Sequence, residues 1–199
     1  MLLKKSPNVR ISSGRPRTKK RLSKFDWLEA SFDLLATRGH SALTIDELCK
    51  NLKVTKGSFY AHFKSRAEFS RRLIEFWEEQ FTTRVSDAMQ RLQDLPPEKR
   101  LFELLRYTTE HRSSQYDVPV RAWAATHPEL HDVIEETDQL RLTTIRDILR
   151  QVGFRGRDLE MRTHAFVTYA SFRWAVESPK FDAHTDENLR NVCRLFTSK

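Results

Sequence analysis

Two short helices joined by a tight turn fit residues 44–66, and this pairing constrains the fold more than any other feature of the chain. Thr44 and Glu47 have the spacing of a capping box, in which a hydroxyl and a carboxylate accept from backbone N–H groups at a helix start. Ser65 and Glu68 repeat that spacing. The segment therefore predicts helices over 44–51 and 55–63, and a further helix that starts near residue 65.

Helical spacing of apolar residues continues over almost the whole chain. The sequence holds only 5 Gly and 7 Pro in 199 residues, which argues against a β-rich or low-complexity protein. Pro97 can begin a helix, and Gly39 can end one in a left-handed cap. We predict an all-α fold of nine helices without a strand. Outside the central pair, the predicted helices cover 23–39, 65–92, 97–111, 119–126, 128–149, 158–177 and 185–197, with a loop over 113–118.

The positive charge lies at one end of the chain. Residues 1–66 hold 15 Lys/Arg against 5 Asp/Glu, whereas residues 67–199 hold 20 against 22. A localised basic region favours an anionic polymer, because neutralising phosphates supplies most of the non-specific affinity for nucleic acid. A solvated tail or an acidic membrane surface would account for the same tail, so charge alone leaves the partner open.

Residues 1–22 are predicted to be a disordered basic arm, since they contain no acidic residue and little apolar periodicity. Within the arm, Gly14 precedes Arg15-Pro16-Arg17, which resembles the Gly-Arg-Pro core of AT-hooks. An extended Arg-Pro-Arg fits the narrow minor groove over A·T pairs, where the negative potential is strongest. We predict that Arg15 and Arg17 contact DNA, with plain phosphate binding by the arm as the alternative.

The second helix of the central pair has an apolar side and a side of hydrogen-bond donors. Phe59 and Phe63, at i and i+4, are predicted to point inward. A short helix of this kind suits the major groove of DNA, because Lys56 and Tyr60 can reach phosphates or base edges and Gly57 permits a close approach. The predicted DNA contacts of this segment are Thr44, Thr55, Lys56, Gly57, Ser58, Tyr60, His62, Lys64 and Arg66.

The run from Gly39 to Phe63 closely resembles the DNA-binding domain of the tetracycline-repressor (TetR) family. The matching residues include Leu43-Thr44-Ile45, the run from Val54 to Tyr60, and His62-Phe63, and the likeness covers roughly residues 23–70. It implies a three-helix DNA-binding domain over 23–66, and a helical domain over 67–199 that binds an unknown small-molecule effector and forms a homodimer. It also implies repression from a palindromic operator of double-stranded DNA.

Two positions depart from the family's pattern. Lys53 stands at the turn where the family commonly has Gly, so a left-handed backbone there would cost roughly 1–2 kcal/mol. Ala61 replaces a residue that is often aromatic or His, and it can offer only a methyl group to a thymine methyl. His62 beside it is either a phosphate donor or a polar residue satisfied at the helix end. Relatives' operators therefore do not transfer to this chain.

The likeness to such regulators continues through helix order and through the pattern from Arg121 to Glu129. It implies a ligand cavity between the fourth and eighth helices, for which core packing of the same side chains is the alternative. Basic residues among the candidates hint at an anionic ligand. The candidate lining residues are Trp77, Phe81, Phe102, Tyr107, Trp123 and Trp174, with His111, Arg121 and His164 as polar anchors.

The resemblance also implies a four-helix dimer interface made by the last two helices and their copies in the partner. Residues 158–177 are more apolar than one helix face needs, which supports this interface; an all-round buried helix in a monomer is the alternative. The candidate interface residues are Phe166, Tyr169, Phe172, Leu189, Val192 and Phe196.

Two rival functions stay open. A metal-dependent enzyme could use His131 and Glu135, whose i, i+4 spacing suits a metal, but the sequence fixes no third ligand and has no Gly-rich phosphate loop. We therefore predict no enzymatic activity, no metal and no cofactor. The second rival is an architectural protein that coats or bends DNA without sequence preference and without an effector.

The two cysteines and the apolar runs indicate the compartment. Cys49 and Cys193 stand at apolar positions of predicted helices without metal-ligand spacing, so buried reduced thiols are expected. No apolar run approaches the roughly 18 residues that a membrane span needs, and the first five residues lack an apolar signal-peptide core. We expect a soluble, cytoplasmic protein without membrane contact.

Overall fold

The computed structural model describes residues 22–111, 113–176, 182 and 184–198. This part of the chain is helical and contains no strand, which confirms the predicted fold class. Most of the predicted basic arm, including Arg15 and Arg17, lies outside the described residues. The α-helical segments are α1 (Lys24–Arg38), α2 (Ile45–Leu52), α3 (Lys56–Tyr60), α4 (Arg66–Glu78), α5 (Arg84–Arg91), α6 (Pro97–Glu110), α7 (Asp117–Ala124), α8 (His131–Val152), α9 (Gly156–Phe172) and α10 (Asp186–Thr197).

A π-helical turn, Glu79–Thr83, joins α4 to α5, so the two segments form one helix. The described residues thus hold nine helices, as predicted. The π turn itself was not predicted, because one extra residue in a turn leaves no mark in apolar spacing. It buries Phe81 and Thr82. Turns of this kind are rare and often lie at functional sites.

Each predicted capping box forms one of its two hydrogen bonds, the one from a backbone N–H to the hydroxyl of the cap residue. Thr44 Oγ1 accepts from the backbone N–H of Glu47 at 3.2 Å, but the Glu47 carboxylate pairs with Arg38 of α1 instead of returning to the cap. Ser65 Oγ accepts from the backbone N–H of Glu68 at 3.0 Å, and the Glu68 carboxylate accepts from the residue before the cap at 2.8 Å. Each hydroxyl still satisfies one N–H that the helix leaves without a partner.

Several helix ends differ from the prediction. α3 ends at Tyr60 rather than at Phe63, because the N–H groups of His62 and Phe63 both turn back to the carbonyl of Phe59, at 2.9 Å each. The predicted loop over 113–118 is a 3-10 turn, Ser113–Tyr116, that leads into α7. α9 runs from Gly156 to Phe172, whereas a helix over 158–177 was predicted. The segment Pro128–Leu130, predicted as the start of a helix over 128–149, forms a 3-10 turn before α8 instead.

The contacts divide the chain into two compact units. One consists of Met1–Phe76 with Pro119–His131, and the other of Trp77–Val118 with Asp132–Lys199. The functional boundary predicted after residue 66 stays a prediction. No helix within the described part is both long enough and apolar enough to cross a membrane.

The two cysteines are free and buried, as expected from the sequence. Burial raises the pKa of both thiols, and it raises that of Cys193 to about 12. A thiol that stays protonated is a poor nucleophile and a poor metal ligand. Both side chains therefore act as small apolar groups of the core.

Candidate nucleic-acid interface and cavity

Four buried aromatic side chains fix the position of α3. The ring centroid of Phe59 lies 5.5 Å from that of Trp27 in α1, 5.2 Å from that of Phe63 and 5.3 Å from that of Phe69 in α4. Pairs of this kind contribute about 0.5–1.5 kcal/mol beyond the burial of their area. A helix as short as α3 is not stable by itself, so this cluster holds it in place.

The inward positions of Phe59 and Phe63 were predicted and are confirmed, since both side chains are fully buried. Phe69 was missed, although its i, i+4 spacing from Leu73 in α4 marks it as a core residue.

The other face of α3 is open to solvent. The ring of Tyr60 is 54% exposed, and the side chain of Lys56 is 61% exposed. A Cβ added to Gly57 would meet only Thr55 Oγ1, at 3.6 Å, which is an ordinary contact. Thr55 is the N-cap residue, as predicted, but its side chain makes no capping hydrogen bond. Small and donor-bearing groups thus occupy the exposed start of the helix.

Lys56 is engaged by an acidic residue of the neighbouring helix. Its Nζ lies 2.6 Å from Asp46 Oδ1 in the first turn of α2. The hydrogen bond to Asp46 raises the pKa of Lys56, so the amine stays charged at neutral pH. Asp46 thus neutralises part of the charge that Lys56 offers to solvent.

The remaining predicted contacts lie around α3 in the same unit. Thr44 caps α2, and Ser58 is half-buried. His62 is also half-buried, with its ring centroid 6.4 Å from that of Trp27, which fits a residue packed at the helix end. Lys64 and Arg66 are exposed.

The turn between α2 and α3 has the backbone that the sequence predicted. Lys53 has φ 57° and ψ 45°, and it is the one non-glycine residue of the described chain with a positive φ. The N–H of Val54 donates to the carbonyl of Cys49 at 2.9 Å, and the N–H of Lys53 donates to that of Lys50 at 3.3 Å. These are the two hydrogen bonds of a Schellman motif.

The second unit contains a largely apolar cavity of about 60 Å³. One end of it is polar, because Arg141 lies there against Asp117, Thr82 and Ser171. The residues that line the cavity come from the π turn and from α5 to α9: Phe81, Thr82, Val85, Ser86, Leu104, Thr108, Asp117, Arg141, Thr144, Ile145, Phe166, Val167, Ala170 and Ser171.

Residues 28–73 match the family model of bacterial regulatory proteins, tetR family. The match contains α2, the left-handed turn and α3. These residues, 28–73, belong to the TetR family. Members of that family are regulatory proteins, and the prediction from the run Gly39 to Phe63 is confirmed.

Two curated relatives match parts of this chain. The transcriptional regulator AcuR of Cereibacter sphaeroides is 34% identical over 77 residues, which cover 38% of this chain and 35% of AcuR. The nucleoid occlusion factor SlmA of Vibrio campbellii is 28% identical over 120 residues, which cover 59% of this chain and 61% of SlmA. The matched part of the chain thus spans about a third of AcuR and three fifths of SlmA.

Most of the chain shares its fold with solved structures. AibR, in a crystal structure with isovaleryl coenzyme A and operator DNA, superposes with a TM-score of 0.68 at 17% identity. The superposition covers 86% of this chain and 96% of the AibR chain. At that identity the likeness shows the fold alone.

The predicted ligand site stays a prediction. Among its residues, Phe81 lines the cavity, and most of the others pack against histidine or arginine side chains. The guanidinium of Arg141 lies 5.1 Å from the ring centroid of Trp77, and that of Arg190 lies 5.0 Å from the ring centroid of Phe102. Between ring centroids, Tyr107 stacks on His111 at 4.1 Å, Trp174 stacks on His184 at 3.9 Å, and Trp123 lies 5.6 Å from His127. Arg121 is half-buried and His164 is exposed.

The predicted dimer residues separate into two groups. Phe166 and Leu189 are fully buried in their own unit, which corrects their assignment to an interface. Phe166 packs edge-to-face against Phe196 at 5.1 Å and also faces the cavity. Tyr169, Val192 and Phe196 are half-buried, and Phe172 is exposed.

An exposed apolar stripe on α9 and α10 contains the predicted interface residue Phe172 and two residues that the sequence prediction missed, Met161 and Leu195. Met161 is 64% exposed and Leu195 is 73% exposed. On α9, Met161, Ala165, Thr168 and Phe172 are all exposed and recur at i, i+4, i+7 and i+11, which places them on one side of the helix. The sequence does not show which apolar residues of α9 are exposed, because the buried positions of this helix are apolar too.

The metal site considered from the sequence gains no support. Among the described residues, no group of three His, Cys, Asp or Glu side chains is placed to hold a metal ion. His131 lies with its Nε2 3.1 Å from the carbonyl oxygen of Ala124.

Proposed function

We propose that this TetR-family chain is a cytoplasmic, homodimeric transcriptional repressor that binds a palindromic DNA operator and responds to a small molecule in its cavity. The observation that carries the proposal is the open face of α3, which is held by a buried aromatic cluster and presents Lys56, Gly57 and Tyr60. A rigid short helix with donors on its exposed face fits the major groove.

In this proposal each residue of the face has a distinct role. Tyr60 reaches a phosphate or a base edge, and Lys56 exchanges Asp46 for a phosphate. Gly57 lets the start of α3 approach the backbone of the DNA. Thr44, Thr55, Ser58, His62, Lys64 and Arg66 contact the flanking phosphates, together with Arg15 and Arg17 of the basic arm.

Two observations support the effector and the dimer. AibR has been crystallised with both isovaleryl coenzyme A and operator DNA, and this chain shares its fold. The exposed stripe on α9 and α10 offers an apolar surface to a second copy of the chain. A dimer would place two α3 helices so that half-sites lie about one helical turn apart, or a multiple of it.

The proposed function is tested on the DNA that flanks the coding region. We expect footprinting at physiological salt to show a protected palindrome, and we expect scrambled DNA of the same length to bind at least 100-fold more weakly. Tyr60→Ala and Lys56→Ala should each weaken operator binding by about 1–3 kcal/mol. Lys99→Ala, an exposed substitution with the same charge change in the other unit, is the control and should leave operator affinity unchanged.

A second candidate function is that of an architectural DNA-binding protein. The relative SlmA is named a nucleoid occlusion factor rather than a transcriptional regulator, which is the reason to test this candidate. Such a protein would bind scrambled and flanking DNA with equal affinity. That result would replace the repressor with this candidate.

A further inference from the structure

Two buried guanidinium groups near the cavity share one carboxylate. Arg141 Nη1 lies 2.8 Å from Asp117 Oδ1, and both side chains are largely buried. Arg173 is buried as well, and its hydrogen-bond acceptors are neutral: the carbonyl of Ala170 at 2.7 Å and the hydroxyls of Thr108 at 2.9 Å and Thr109 at 3.0 Å. The charge of Asp117 acts on Arg173 too. This part of the described chain therefore contains one more buried positive charge than negative charge.

An unbalanced buried charge is costly. Burial lowers the pKa of Arg173, which is the expected response of a cation that lacks a close anion. Its Nε is buried without a hydrogen-bond acceptor among the described residues. The hydroxyl of Thr108 accepts a hydrogen bond from Arg173, and Thr108 also lines the cavity. The guanidinium of Arg173 is therefore connected to the cavity through this hydroxyl.

Hydrogen bonds from two of its three nitrogens hold the Arg141 guanidinium in one orientation. Its Nε donates to Thr82 Oγ1 at 2.9 Å, and its Nη1 donates to Asp117 and to Ser171 Oγ at 3.1 Å. Its guanidinium also covers the ring of Trp77 at 5.1 Å. These contacts leave Nη2 without an acceptor within the part of the chain that the structure describes. A fixed guanidinium with a free N–H edge is a ready partner for a carboxylate oxygen.

Much of the remaining lining is apolar. Val85, Leu104, Ile145 and Phe166 form this apolar wall and offer no charge or hydrogen-bond donor from their side chains. The hydroxyls of Ser86 and Thr144, which also line the cavity, lie 2.9 Å apart and pair with each other. The cavity volume of about 60 Å³ is small beside the roughly 300–1,000 Å³ of pockets for drug-sized ligands. The cavity therefore suits a short apolar chain.

We propose that the cavity binds a short-chain aliphatic carboxylate, with its carboxylate group on Arg141 and its alkyl chain against the apolar wall. The inference rests on the proposed function, because it names the chemical class of the effector. The ligand's negative charge balances the second guanidinium, so two cations and two anions then share the polar end.

The probes are hexanoate and butanoate, with the methyl ester of each as the neutral counterpart. We expect both carboxylates to raise the melting temperature of the full-length protein, and calorimetry to give at least tenfold tighter binding for each acid than for its ester. Equal affinity of ester and acid would overturn the proposal, as would binding of hexanoyl coenzyme A without binding of hexanoate.

The double variant Asp117→Asn/Arg141→Met removes the buried pair together, since loss of one partner would leave a buried charge and unfold the site. It should lose the preference for acid over ester. The control is Asp147→Asn/Arg150→Met, which removes an exposed pair on the same helix, 2.7 Å apart, and should keep the preference. A double variant that is folded and still prefers the acid would contradict the assignment to Arg141.

The two proposals fail separately. A protein that binds its operator but neither carboxylate loses only this inference. A protein that binds hexanoate but no flanking DNA keeps its ligand site and loses the proposed repressor function.

Discussion

Lys53 holds a left-handed backbone in the turn between α2 and α3. A Cβ in that conformation costs about 1–2 kcal/mol, and glycine avoids this cost but loses more chain entropy on folding. We expect Lys53→Gly to raise the free energy of unfolding by about 0.5–1 kcal/mol, seen as a higher urea midpoint with an unchanged slope.

The control for this substitution is Lys50→Gly in the last turn of the same helix, where the backbone is α-helical. It should lower the free energy of unfolding by roughly 1 kcal/mol. Equal losses in both variants would show that Lys53 carries no strain.

Gly57 has no steric need for glycine in the protein alone, because a Cβ would find only an ordinary contact. Its φ is not in the left-handed region, so alanine should raise the free energy of unfolding by about 0.5–1 kcal/mol. In the proposed complex the added methyl group meets DNA. We therefore expect Gly57→Ala to stabilise the protein and to weaken operator binding at least tenfold.

Denaturation and fluorescence anisotropy on the same sample check both halves of this prediction. Ala61→Ser at the exposed end of α3 is a control for a small change beside the groove. If Gly57→Ala kept full operator affinity, the DNA would not approach the start of α3.

At the scale of helices, Asp46 in α2 would compete with a phosphate for Lys56 in α3 in the proposed DNA complex. Their exposed ion pair, 2.6 Å between Nζ and Oδ1, must break before Lys56 meets a phosphate. We expect Asp46→Asn to raise operator affinity by about two- to fivefold at low salt, and the gain should shrink as salt screens the charges. The matched control is Asp94→Asn, which makes the same charge change at an exposed site of the other unit.

The helices were predictable to the extent that their signals are local. Capping residues and apolar spacing within a few positions marked Thr44, Ser65 and Pro97, and each begins a helix close to the predicted place. The early end of α3 was not predictable, because it depends on a turn around Phe59 that long-range aromatic contacts fix. The π turn leaves no local signal either.

The exposed face of α3 was predictable because it lies on one short helix with a family pattern. The cavity was not, since its polar end brings Arg141 to Thr82 and Asp117, which are 59 and 24 positions away in the sequence. An arginine in the middle of a polar-looking helix gives no sign that packing buries it. Aromatic residues were poor guides to the cavity, because most of them stack on histidine or arginine instead.

At the scale of the whole molecule, the exposed stripe on α9 and α10 determines the predicted assembly. We expect Met161→Glu/Leu195→Glu to give a monomer by light scattering, because two carboxylates would have to lose water in an apolar interface. The side chains are exposed, so the variant should keep the melting transition of an isolated chain. Operator affinity should fall, since a monomer holds only one half-site.

Val118→Glu is the control for this double variant, because it places a carboxylate at an exposed apolar site off the stripe. It should leave the dimer intact. A double variant that stayed dimeric would move the interface to another surface.

The guanidinium of Arg141 over the indole of Trp77 gives the molecule a built-in optical reporter. Indole emission responds to the electric field at the ring, and a cation 5.1 Å away is a large part of that field. We expect a molecule that binds this guanidinium to change the wavelength and intensity of Trp77 emission, on a background of emission from Trp27, Trp123 and Trp174. Ligand binding in the cavity can thus be measured by intrinsic tryptophan fluorescence, without a label and without DNA.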